Sequence, residues 1–62
     1  MATVTENYKI AVQAYRPNAA LKYVTKLGSR FYRIVDGDEV LIDMEISPMI
    51  AWREAERSLC AQ

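Results

Sequence analysis

The sequence predicts a single α+β domain spanning residues 1–62, with a central antiparallel β-hairpin packed against two helices. Two local patterns carry this prediction: β-branched and aromatic runs on either side of an Asp-Gly dipeptide, and an apolar stripe at helical spacing after Ser-Pro. The chain has one cysteine and no histidine, so neither an internal disulfide nor an ordinary zinc site can stabilise it. We therefore expect its stability to come from core packing or from a partner chain.

The hairpin is predicted over about residues 30–46. Runs at 30–35 and 40–46 are typical of strands, and Asp36-Gly37 supplies the positive φ that a tight turn needs. The more apolar face, which holds Phe31, Arg33 and Val35, is predicted to meet the core. The opposite face then carries Tyr32, Ile34 and Leu41.

Two helices are predicted, at about residues 17–27 and 48–60. Ser47 is a favourable N-cap, and Pro48 fits the first helical position because its missing N–H costs nothing there. The earlier helix would end at Gly28.

Residues 4–15 fit either kind of element. Alternating apolar residues favour a strand, which gives the order β-α-β-β-α with a three-stranded sheet. A possible capping box from Thr3 to Glu6 instead fits a helix, giving α-α-β-β-α.

The composition argues against catalysis, so we expect no enzyme activity, no cofactor and no bound metal. Histidine, the usual general base near neutral pH, is missing, and the two glycines do not form a phosphate loop. The longest uncharged run, residues 46–52, is too short to cross a membrane, and no secretory signal is recognisable. We expect a cytoplasmic protein without membrane contact, in which Cys60 is a half-buried or frayed helix-end residue.

Charge is strongly segregated along the chain, although the formal net charge is zero. Residues 7–35 hold six basic side chains and no acidic one, whereas residues 36–45 hold five acidic side chains and no basic one. Basic residues interleaved with aromatics are typical of nucleic-acid surfaces, and the candidates are Lys22, Lys26, Arg30 and Tyr23. The sequence pI near 6.1 argues against a dedicated nucleic-acid domain, so this interpretation is the alternative.

The leading hypothesis is a non-catalytic accessory or regulatory protein that binds another protein, with self-association as a homodimer. Its predicted site is the apolar centre formed by Tyr32, Ile34 and Leu41, with a rim of Arg30 and Glu45. The small size would suit an inhibitor or regulator of phage, prophage or plasmid type.

Overall fold

The chain is arranged as one helix, three strands and a second helix. The computed structural model describes residues 3–61. Its elements are α1 (Val4–Tyr15), β1 (Ala19–Lys26), β2 (Ser29–Asp36), β3 (Glu39–Glu45) and α2 (Pro48–Cys60). The predicted fold class is confirmed, with a three-stranded antiparallel sheet and two helices, but the element order is α-β-β-β-α.

The β2–β3 hairpin and α2 form where the sequence predicts them. The two-residue turn begins at Gly37, whose φ is 61°, and Asp36 pairs with Glu39 across it. Helix α2 starts at Pro48, and the Ser47 hydroxyl accepts a 3.1 Å hydrogen bond from the backbone N–H of Ile50. This bond satisfies one of the amides that every helix N-terminus leaves unpaired.

The favoured strand at residues 4–15 is wrong, because this segment is α1. The capping-box alternative identifies its start: Thr3 Oγ1 accepts a 3.1 Å hydrogen bond from the N–H of Glu6. Alternation failed as a signal because Val12 is fully buried whereas Ile10, two residues away, is 61% exposed. The helix ends before Pro17, since a residue that precedes proline avoids the α conformation.

The predicted helix at about 17–27 is also wrong, because residues 19–26 form β1. Gly28 does not end a helix; Leu27 and Gly28 form a two-residue turn, with φ of 53° and 80°, that joins β1 to β2. Positive φ at both central positions is the requirement of a type I′ hairpin turn. Lys26 pairs with Ser29 across this turn.

The sheet order is β1-β2-β3, with β2 in the centre and both neighbours antiparallel to it. The β2–β3 register shifts twice: Val35 pairs with Val40, but Ile34 pairs with Ile42 and Tyr32 with Glu45. Each shift places one extra residue in β3, as in a β-bulge. The second shift lies near Met44, whose φ is 60°.

The core lies between the helices and the face of the sheet that holds Ile34. Its buried members are Val12, Ala19, Ile34, Ala51, Trp52, Ala55 and Leu59. Tyr32, Leu41 and Ile42 pack against this cluster, and a bulge allows the adjacent residues Leu41 and Ile42 both to do so. The predicted assignment of hairpin faces is therefore inverted, because the Phe31 face points away from the helices.

An ion-pair group ties the end of α1 to the β2–β3 turn. Arg16 Nη1 lies 3.0 Å from Asp36 Oδ2 and 3.0 Å from Glu39 Oε1. These hydrogen bonds, to Asp36 first and then to Glu39, raise the pKa of Arg16 above its usual value. Part of the predicted acidic block is thus paired within the fold.

Candidate functional site

The predicted protein-binding patch is not a surface of the folded chain. Ile34 is fully buried, and Tyr32 and Leu41 pack against the core. The predicted rim residues Arg30 and Glu45 are not cross-strand partners, because Glu45 lies opposite Tyr32. The inverted faces and the bulges in β3 explain this result.

The four residues of the alternative site all lie on one hairpin. Lys22, Tyr23, Lys26 and Arg30 are exposed, and they belong to β1 and β2 on either side of the turn at residues 27–28. We call residues 22–33 the β1–β2 arm. It contains no acidic residue and four basic residues: Lys22, Lys26, Arg30 and Arg33.

The cations of the arm lie on both of its faces. Lys22 and Arg33 are direct cross-strand partners on the face that points away from the helices, which we call the open face. Like charges directly opposite one another are unfavourable in a sheet. Asp43 reduces this repulsion, since its Oδ1 lies 3.0 Å from Arg33 Nε. This ion pair corrects the expectation that Arg33 points towards the core.

On its other face, the arm extends beyond the region that the helices cover. Tyr23 is 61% exposed, and the guanidinium carbon of Arg30 lies 4.7 Å from the centroid of its ring. This cation–π contact holds a planar cation over an aromatic ring. Thr25, the next residue of β1 on the same face as Tyr23, is also exposed. Groups on both faces of the distal arm are therefore accessible to a ligand.

The tip of the arm combines two local irregularities. Leu27 is 99% exposed, so its side chain makes almost no contact within the described fold. Its φ of 53° lies in the left-handed region, where glycine and asparagine are favoured and a leucine is uncommon. The sequence alone does not single out Leu27, because a helix at 17–27 would place it in an apolar stripe with Leu21 and Val24.

The open face has apolar side chains around its charged centre. Val24 pairs with Phe31 and Ala20 with Val35, and all four are partly buried. Val40, opposite Val35, is 47% exposed. The sequence correctly marked this face of the hairpin as apolar. However, α2 packs on the other face of the sheet and α1 packs against α2, and nothing in residues 3–61 covers the open face.

A cleft of about 430 Å³ lies on the helical side of the molecule, lined by Tyr8, Arg53, Glu56, Arg57, Cys60 and Ala61. Its two guanidinium groups are both near one carboxylate. Arg53 Nη2 and Arg57 Nη1 lie 3.6 and 3.8 Å from Glu54 Oε1. The cleft is therefore a weaker candidate for anion binding than the arm.

Within residues 3–61, no cluster of three or more metal-ligating side chains is present. In the same part of the chain, no helix has the length and apolar character needed to cross a membrane. Comparison with protein-family models, curated proteins and solved structures finds no match to this chain. The candidate site therefore rests on the geometry and charge of the arm.

Proposed function

We propose that the protein is a non-catalytic nucleic-acid-binding protein that uses the β1–β2 arm. The observation that carries the proposal is the placement of Lys22, Lys26, Arg30 and Tyr23, all exposed, on one hairpin without an acidic residue. Cations on such an arm can contact phosphates, and the exposed ring of Tyr23 can stack on a base or sugar. A cytoplasmic location, which we also propose, gives access to nucleic acid.

The separation of charge in space supports binding despite the zero net charge. In a sequential antiparallel sheet, the β1–β2 and β2–β3 turns lie at opposite ends. Asp36, Asp38 and Glu39 are therefore far from the tip of the arm, and Arg16 pairs with two of them. Asp43 and Glu45 lie nearer, at the base of the arm, where Asp43 pairs with Arg33 and Glu45 is opposite Tyr32. The arm can attract a polyanion locally because surface charges beyond about 10 Å are largely screened at 0.1 M salt.

Charge also favours nucleic acid over self-association at the open face. Lys22 and Arg33 lie opposite each other there, with Asp43 as the carboxylate paired to Arg33. If two copies packed through this face about a two-fold axis, burial of these groups would require their desolvation near like charges. A phosphate backbone is complementary to the two cations, Lys22 and Arg33. Homodimer formation stays an untested prediction.

The test compares nucleic-acid binding by the wild type with that of a double charge-reversal variant, Lys22→Glu with Lys26→Glu. Affinity for labelled duplex and single-stranded probes is measured by fluorescence anisotropy between about 50 and 200 mM salt. If all four basic residues contact phosphates of a duplex, the slope of log K against log salt is about −3.6. The variant is expected to reduce the magnitude of that slope by about 2 and to lose most of its affinity.

The matched control makes the same change in net charge on the helical side, with Lys9→Glu and Arg57→Glu. Both residues are exposed and lie on α1 and α2. This control is expected to keep most of the wild-type affinity. Equal losses in the two variants would assign binding to net charge and not to the arm. The proposal fails if the wild type binds neither probe at low salt.

A further inference from the structure

We propose that Leu27 is an apolar wedge that enters between base pairs of duplex DNA from the minor groove. This inference rests on the proposed function, because the basic arm must first bring the tip to the duplex. It goes further by naming the nucleic acid as duplex DNA, the groove as the minor groove and the consequence as a local distortion of the helix.

The first argument is that Leu27 adopts an unfavourable backbone conformation without a compensating contact in the described fold. A type I′ turn favours Asn-Gly, yet here the first position is Leu27, with φ of 53°. The side chain is also 99% exposed, so no packing within the described fold compensates for the unfavourable backbone. Such local inconsistencies are concentrated at functional sites, where the strained residue has a use that the folded chain alone does not show.

The second argument is the setting of the residue. Lys26 precedes Leu27, and Arg30 follows the turn, so cations flank a single apolar tip. Leucine is among the side chains that unstack base steps from the minor groove, usually with basic groups that contact the neighbouring phosphates. Lys22 lies five residues behind the tip, about 17 Å along the strand, where it can reach the backbone beside the groove.

The third argument is size. The two-residue turn presents one exposed side chain, Leu27, which is small enough to enter the roughly 6 Å minor groove of B-DNA without the whole ribbon. The strand residues of the arm hairpin that pack with the helices reach no nearer to the tip than Leu21 in β1 and Tyr32 in β2, so the helical layer does not block the tip. Duplex RNA has a wide, shallow minor groove and is read chiefly by shape and backbone contacts, which offers no comparable slot.

A membrane surface is the other target that a basic hairpin with an apolar tip could have. A single leucine provides little apolar area for insertion, and even a myristoyl chain gives only marginal membrane binding. One side chain is sufficient to separate a base step. The single apolar residue at the tip therefore favours duplex DNA.

The decisive variant is Leu27→Asn, because asparagine suits the left-handed backbone that leucine tolerates poorly. It is expected to raise Tm by up to about 4–8 °C, so a loss of function cannot be attributed to unfolding. Its matched control is Leu27→Met, which keeps an apolar side chain able to act as a wedge.

The readout is the fluorescence of 2-aminopurine placed in an A·T-rich duplex, which rises when the base loses stacking. Wild type and Leu27→Met are expected to increase this signal, whereas Leu27→Asn should not. Duplex affinity of Leu27→Asn should fall about tenfold, with an unchanged salt slope, because the phosphate contacts remain.

Several results would overturn the wedge while leaving nucleic-acid binding intact. One is a Leu27→Asn variant with the same 2-aminopurine fluorescence and the same duplex affinity as the wild type. The others are tighter binding to single strands than to duplex DNA, and a distortion of duplex RNA equal to that of duplex DNA. If the wild type binds no nucleic acid, both proposals fall. Binding instead to vesicles that contain phosphatidylserine, with loss in Leu27→Asn, would assign the tip to membranes.

Discussion

Arg33 and Asp43 form an ion pair on the open face, with Arg33 Nε 3.0 Å from Asp43 Oδ1. The side chains are 32% and 49% exposed, so water and salt screen the interaction. The pair matters because Lys22 lies directly opposite Arg33. One carboxylate therefore moderates two adjacent cations at the base of the arm.

Asp43→Asn is expected to weaken folding while it strengthens nucleic-acid binding. Loss of a partly exposed ion pair should lower the free energy of unfolding by at most about 1 kcal/mol. The same change removes repulsion between Asp43 and phosphates, so affinity should rise several-fold at low salt. Urea unfolding and fluorescence anisotropy measure the two effects.

Asp38→Asn is the matched control, since it makes the same charge change in the turn at the other end of the sheet. It should leave affinity almost unchanged. An equal gain in affinity from Asp38→Asn would show that the position of the carboxylate does not matter.

Ile34→Ala should destabilise the fold far more than Phe31→Ala. Ile34 is fully buried, and truncation of such a side chain typically costs about 2–5 kcal/mol. In a domain this small the loss is comparable with the whole stability. Phe31, on the open face, keeps part of its surface in water. Its truncation should therefore lower the free energy of unfolding by less.

Circular dichroism during thermal and urea unfolding compares the two variants. A larger loss of stability for Phe31→Ala would indicate that the Phe31 face meets the core, as the sequence alone predicted, and would contradict the burial of Ile34.

The phenol of Tyr15 should titrate above its ordinary range. Its oxygen lies 3.3 Å from Cys60 Sγ. This hydrogen bond and the negative charge of the nearby thiolate raise the pKa of Tyr15 above 10.0, with smaller contributions from desolvation and Glu56. Cys60→Ala should lower the pKa towards 10.0. Tyrosinate absorbance during alkaline titration measures it, and Tyr15→Phe identifies the signal.

This shift also predicts a pH dependence of stability. The folded state holds the phenolic proton more tightly than the unfolded chain does. The stabilisation of the fold by this tighter proton binding is therefore complete below pH 10.0. It disappears as pH rises through the folded-state pKa of Tyr15. Above pH 10.0, the wild type should lose stability faster than Cys60→Ala. Parallel losses in the two proteins would contradict the contact.

The hairpin and α2 were predictable because short-range chemistry determines them: a glycine with positive φ at Gly37, and a cap at Ser47 followed by proline. The first half of the chain was not. The apolar residues of 4–15 fit the spacing of a helix and that of a strand, and a glycine at position 28 is equally suitable for the end of a helix and for a hairpin turn. Tertiary packing decides between these alternatives.

The candidate site was predictable only in part. Charge segregation identified Lys22, Lys26, Arg30 and Tyr23, but a helix would have arranged them differently from a hairpin. The face of the hairpin could not be deduced, because both faces are apolar and the two bulges of β3 have no clear sequence signal. Leu27 became notable only once its backbone and exposure were known.

The position of β1 at the outside of the sheet places a second constraint on its lysines. An eight-residue outer strand without a bulge offers free backbone groups to which another chain could add, a common route to aggregation. Lys22 and Lys26 are the charged residues that oppose such joining, so they act as gatekeepers as well as candidate phosphate contacts. Neutral replacements would remove both roles together. These charges therefore protect the outer edge of the sheet whether or not the arm binds nucleic acid.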